Sequence, residues 1–174
     1  MKTLLPFLKK HAVTLLLIGL VTYIWFRPFA TVTNEDQGAA PFSVRLADGQ
    51  WLSSESLRGK VVLVNIWATW CPYCRKEMPA IQAFWEQHRN EGFEVLAVSA
   101  DDPPEKIAAY MKDAGYGFRA ASMDQSVLDA FGSVSTVPTS FIVDRNGIIR
   151  HKIAGQVYGG RLDDLVLPLI QAAK

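Results

Sequence analysis

The chain has 174 residues, enough for one domain and a tail, and is 49% hydrophobic and 20% charged, a balance that supports a packed core and excludes a disordered chain. Its formal net charge of +1 gives no basis for nucleic-acid binding, and it contains no glycine-rich phosphate loop. His11, His88 and His151 lie far apart and show no metal-ligand spacing.

In chain order, the first feature is a 16-residue run without formal charge, His11 to Phe26, bracketed by Lys9, Lys10 and Arg27. As a helix it would span roughly 24 Å, short of the ~30 Å hydrocarbon core of a bilayer. Lys10 and Arg27 can snorkel across that mismatch, and Tyr23 and Trp25 suit a membrane interface. A cleaved signal peptide is the rival reading. Its cleavage sites are poor: Ala30 has Pro28 at −3, while Ala40 lies far from the apolar run and precedes Pro41. The expectation is therefore an uncleaved, single-pass signal-anchor over residues 11–26 in the cell inner membrane. Lys2, Lys9 and Lys10 in residues 1–10 place that end in the cytoplasm and everything after Arg27 on the periplasmic or extracytoplasmic side. Residues 27–40 have no periodicity and read as a tether, with Glu35 and Asp36 as solvated charges.

From residue 41 to 174 the pattern is regular. Asp48-Gly49 between "FSVRL" and "QWLS" predicts a hairpin. "VVLVNIWA", 61–68, is a continuous apolar run suited to a strand buried on both faces. A helix follows from Pro72 to about Arg89, with Ile81, Phe84, Trp85 and His88 on one face. Then come a buried strand over 93–100, a helix over 104–114, the short strand "FRAAS" and the short helix "SVLDAF". "TSFIVD" and "IIRHKIA" flank Arg145-Asn146-Gly147 as a closing hairpin, and a last helix runs from Arg161 to Ala173, interrupted by Pro168. Alternating strands and helices followed by a hairpin predict an α/β fold, a mixed central sheet flanked by helices.

The only two cysteines stand in "WATWCPYCRKEMP", where the buried strand gives way to the helix. With Cys71 at the helix N-cap and Pro72 at N1, the Cys71 sulfur faces unpaired N–H groups and the positive end of the helix dipole. Arg75 and Lys76 add positive charge. These groups stabilise a thiolate, the nucleophilic form. Cys74, one turn on, can reach the same sulfur from beneath the first turn. The geometry divides the labour: Cys71 attacks and Cys74 resolves the mixed disulfide. A zinc site lacks two ligands unless a partner chain supplies them. A structural disulfide closing so small a loop would stabilise little. A peroxidase of related fold needs threonine three residues before its cysteine, where this chain has Ala68.

"VVLVNIWATWCPYCRKEMP" resembles the active-site strand and helix of thioredoxin-fold proteins, in particular the membrane-tethered TlpA/ResA/CcmG (DsbE) group of extracytoplasmic thiol-disulfide oxidoreductases. Trp70 precedes Cys71, Pro79 lies eight residues after it, and "STVPTSFIVD" matches the loop in which that group carries a cis-proline facing the disulfide, here Pro138. Residues 101–124 match the central α-β insertion of the group. The resemblance implies protein-disulfide reduction, with cysteine-containing envelope proteins such as apocytochromes c as substrates and a membrane-embedded thiol reductase as electron donor. It implies no organic cofactor or metal, because the dithiol carries the electrons. It implies substrate contact by Trp70, Pro72, Tyr73 and Val137, and a tuning role for Glu77, which otherwise reads as a solvated helix-face carboxylate. Asn65 replaces the buried aspartate of thioredoxin, so the proton acceptor for Cys74 stays open. Pro72-Tyr73 is the glutaredoxin pair, which leaves the potential open. A disulfide oxidant or isomerase on the same scaffold, or a copper-binding thiol module, are the alternatives.

Overall fold

The computed structural model describes residues 12–22 and 31–172. Residues 12–22 are helical (α1), with every side chain exposed. The membrane expectation is corrected here: among the described residues no helix is long and apolar enough to cross a membrane. The eleven residues of α1 rise about 16 Å, roughly half of a hydrocarbon core. The predicted single-pass placement in the inner membrane therefore does not stand on the described helix. Residues 1–11 and 23–30, including both ends of the predicted span, lie outside the described residues.

The tether also differs. Thr31–Gly38 forms β1, antiparallel to Ile148–Ala154 (β8), with Thr31 opposite Ala154 and Gly38 opposite Ile148. Asp36 stays exposed, as expected of a solvated charge, and also pairs with Arg150 at 2.8 Å. β1 is an edge strand exposed along nearly its whole length, so it carries no alternation of apolar and polar residues for the sequence to reveal.

The predicted hairpin forms as Ser43–Arg45 (β2) and Trp51–Ser53 (β3), and Gly49 in its turn has a φ of 89°, a conformation costly for any residue with a Cβ. Then follow Val61–Trp67 (β4), Pro72–His88 (α2), Phe93–Ser99 (β5), Pro104–Ala114 (α3), Arg119–Ser122 (β6), Gln125–Phe131 (α4), Thr139–Val143 (β7), β8 and Gly159–Gln171 (α5). The main sheet runs β1-β8-β7-β4-β5-β6, parallel from β4 to β6 and antiparallel elsewhere. This is an α/β, thioredoxin-like fold with a mixed sheet, and α3 with β6 form the central insertion.

β4 lies inside the sheet and is buried at every residue, because both of its faces are covered. Val61, Leu63 and Trp67 pack with Met78, Ile81, Ile107 and Leu162 from the helices on one face. Val62, Val64 and Ile66 pack on the other with Phe42, Leu57, Phe131 and Phe141. Asn65 shares the helical face by the period-two alternation of a strand. The sheet delivers the chain to Cys71 at the carboxyl end of β4, between the start of β7 and the end of β5.

Candidate active site

Cys71 is the N-cap of α2, with φ −79° and ψ 114°, and Pro72 follows inside the first turn. The Cys74 N–H donates to the Cys71 sulfur at 3.2 Å, so the N-cap sulfur takes one of the otherwise unpaired donors of the helix. Cys71 and Cys74 are joined as a disulfide, with 5.3 Å between their Cα atoms. Cys74 has no exposed surface and Cys71 keeps 3%. Around them, Trp70 and Tyr73 are 60% and 66% exposed, large aromatic surfaces that the fold leaves uncovered beside the sulfurs. Pro72 is exposed as well.

The opposite wall comes from the loop before β7. The Val137–Pro138 peptide bond is cis, and the Val137 carbonyl oxygen lies 3.8 Å from the Cys71 sulfur. Pro138 is buried and Val137 half-buried, and the Pro138 carbonyl accepts from the Gly155 N–H at 2.9 Å. The structure therefore gathers Trp70, Cys71, Pro72, Tyr73, Cys74, Val137 and Pro138 at one end of the sheet.

Glu77 is not solvated. It is 1% exposed and faces β4, where its carboxylate accepts from the Asn65 amide at 2.8 Å and from the Val157 N–H at 2.6 Å. Burial pushes its pKa up to about 7, against the lowering effect of those two hydrogen bonds. The Asn65 amide also donates to Ser140, its register partner on β7, at 2.9 Å, while its own carbonyl oxygen has no partner among the described residues.

Two acids at the end of β5 hold the residues before Cys71. Asp102, 4% exposed, accepts from the Thr69 N–H, the Thr69 hydroxyl and the Ser99 hydroxyl, each at 2.7 Å, and pairs with Lys106 at 2.6 Å. Burial works to raise its pKa, but the bonds from Lys106, Thr69 and Ser99 outweigh it and hold the carboxyl well below the usual carboxylate range. Asp101 accepts from the Trp70 indole N–H at 3.0 Å. Sequence reading did not single out Asp101 or Asp102. The available signal was their position just past the carboxyl end of a buried strand, where open α/β sheets build sites.

Residues 36–152 match the AhpC/TSA family. The chain belongs to that family. It is 29% identical over 148 residues to the thiol-disulfide oxidoreductase ResA of Bacillus thuringiensis (strain Al Hakam), covering 83% of this chain and 85% of that one. It is 32% identical over 152 residues to the thioredoxin-like protein YneN of Bacillus subtilis (strain 168), covering 82% and 88%. Among solved structures, a thiol:disulfide interchange protein of the thioredoxin family from Chlorobium tepidum TLS superposes with a TM-score of 0.73 at 29% identity, covering 79% of this chain and 99% of that one. A C-x-x-C disulfide at the helix N-terminus of this family fold makes the chain a thiol-disulfide oxidoreductase.

Proposed function

We propose that the reduced chain is a protein-disulfide reductant in which Cys71 attacks and Cys74 resolves. The Cys71 thiolate, stabilised by the Cys74 N–H and the α2 N-terminus, attacks one sulfur of a substrate disulfide. That S–S bond breaks, a mixed disulfide forms, and the other substrate sulfur leaves as a thiolate. Cys74 then gives up its proton and attacks the Cys71 sulfur. The intramolecular disulfide closes and the second substrate thiolate departs. Two electrons pass from the dithiol to the substrate, and a separate thiol reductase returns them. Cysteine-bearing proteins, apocytochromes c among them, are the substrates that the sequence resemblance supports.

Supporting groups take proposed roles around this exchange. Glu77, three residues after Cys74 and so on its helix face, is a buried carboxyl poised near neutral pH and suited to receive the Cys74 proton. Val137 and Pro138 offer the backbone edge beside Cys71 to an extended substrate segment, while Trp70, Pro72 and Tyr73 offer exposed surface to it. The observation that carries the reading is the N-cap sulfur at 3.2 Å from the Cys74 N–H, backed by a second cysteine with no exposed surface.

Equilibration with glutathione buffers tests the direction. The expected potential lies between about −200 and about −270 mV, the range from glutaredoxins to thioredoxin. A value near −120 mV, roughly that of a strong oxidant, would reverse the proposed flow of electrons.

A further inference from the structure

Pro72, the residue after Cys71, belongs both to the C-x-x-C turn and to a groove lined by α2 and α3. This open groove of about 700 Å³ is lined by Pro72, Arg75 and Lys76 of α2 and by Tyr110, Asp113 and Tyr116 of α3 and the turn after it. Its floor is aromatic and tied to the core: the Tyr110 ring packs on the fully buried Trp67 at 5.2 Å and on Tyr116 at 6.2 Å between centroids. The Arg75 guanidinium lies 5.9 Å from the centroid of the Tyr110 ring. Arg75, Lys76 and Asp113 are exposed, and none of the three forms an ion pair among the described residues. Two cations and one carboxylate therefore line the groove over an aromatic floor and leave it one positive charge in excess.

We propose that this groove is a substrate-selecting subsite that takes the segment flanking the target cysteine of a polypeptide and prefers a carboxylate side chain beside that cysteine. The proposal rests on the exchange reaction proposed above. The planar guanidinium, held against Tyr110, presents paired N–H donors to a carboxylate at little cost in side-chain freedom, and Lys76 adds a second charge. A polypeptide joined through Cys71 can extend past Pro72 into this groove. A groove of about 700 Å³ has room for several residues, which argues for a polypeptide over a small disulfide.

The test uses the reduced full chain and three peptides. Each carries one cysteine as a mixed disulfide with 2-mercaptoethanol, flanked by Glu, Gln or Lys and otherwise identical. Second-order exchange rates are read by tryptophan fluorescence at about 20 mM and about 1 M salt. The Glu peptide is expected to react about tenfold faster than the Lys peptide at low salt, since exposed charge pairs are each worth only a small factor. The gap should close to about twofold at high salt, where the Debye length falls to about 3 Å. Arg75→Gln with Lys76→Gln should collapse the Glu-to-Lys ratio at low salt. Because the ratio compares peptides on one protein, any change in the Cys71 thiolate fraction cancels. Asp113→Asn should widen the ratio, and Lys152→Gln, on β8, should leave it unchanged. Equal rates for the three peptides in the parent chain, or a ratio that the double substitution does not move, would overturn the subsite while leaving the exchange reaction intact. If even the Gln peptide fails to react, the exchange reaction itself is wrong and the subsite falls with it.

Discussion

Glu77 is where pH acts on this site. Its pKa in the fold is about 7 against an ordinary 4.5, so the folded chain holds that proton more tightly than the unfolded chain. A carboxyl shifted upward contributes its full stability below about pH 4.5 and loses it as pH rises through 7. His151 works the other way in part of that window, because burial lowers the pKa of its ring. The difference between the parent chain and Glu77→Gln isolates the carboxyl. Urea denaturation should show the parent losing roughly 2–3 kcal/mol relative to the variant between pH 5 and pH 8. Parallel stability curves would show that Glu77 stays ionised throughout. Asp102 makes a second residue-scale case. Removing it leaves the Thr69 N–H, the Thr69 hydroxyl and the Ser99 hydroxyl without their shared acceptor. Asp102→Ala should cost about 3 kcal/mol in urea denaturation, as expected for several buried donors left unpaired. A loss under about 1 kcal/mol would mean that the end of β5 does not hold the residues before Cys71.

Among the elements, the β7–β8 turn does more than reverse the chain. Arg145 donates to the Gly59 carbonyl before β4 at 2.6 Å, to Glu91 before β5 at 3.1 Å and to Ile170 of α5 at 3.1 Å. One guanidinium thus joins the amino ends of two central strands to the last helix. Arg145→Met keeps much of the aliphatic stem and removes all three donors, and thermal denaturation should show a loss of about 2–4 kcal/mol. A neutral result would assign those carbonyls to water. Read from sequence alone, "RNG" signals only a turn, because none of the three carbonyl partners is within fifty residues except Ile170. The same limit hides Asn65–Ser140 and Thr69–Asp102, whose partners meet only once β7, β4 and β5 are neighbours. The elements themselves were legible where burial imposes a pattern. β4 and β5 announce themselves as apolar runs because both faces are covered, and α2 by the spacing of Ile81, Phe84 and His88. β1 is not legible because its exposed edge position demands no such pattern, and the span predicted over residues 11–26 is longer than the described helix α1.

For the whole molecule, the sheet acts as a platform with a core on each face and the disulfide at the carboxyl end of β4. β7 supplies one wall and β5 with α3 the other, so the two cysteines are approached across a seam between elements far apart in sequence. That placement leaves Cys71 with 3% of its surface exposed and Cys74 with none. The cysteine pair and its N-cap position were readable from "WCPYC" preceded by a buried strand, since a strand-to-helix turn at a Cys-Pro step dictates that local geometry. The burial of Glu77 was not readable, because it depends on Val157 from beyond β8 closing over the helix.

The division of labour between the sulfurs is the central claim, and covalent trapping tests it most directly. Cys74→Ser and Cys71→Ser chains are each incubated with a disulfide-bonded protein substrate, quenched in acid and separated without reductant. Cys74→Ser should accumulate a mixed disulfide through Cys71, because attack proceeds and resolution cannot. Cys71→Ser should accumulate none, because the remaining sulfur has no exposed surface. Trapping by Cys71→Ser at a rate equal to that of Cys74→Ser would contradict the assignment.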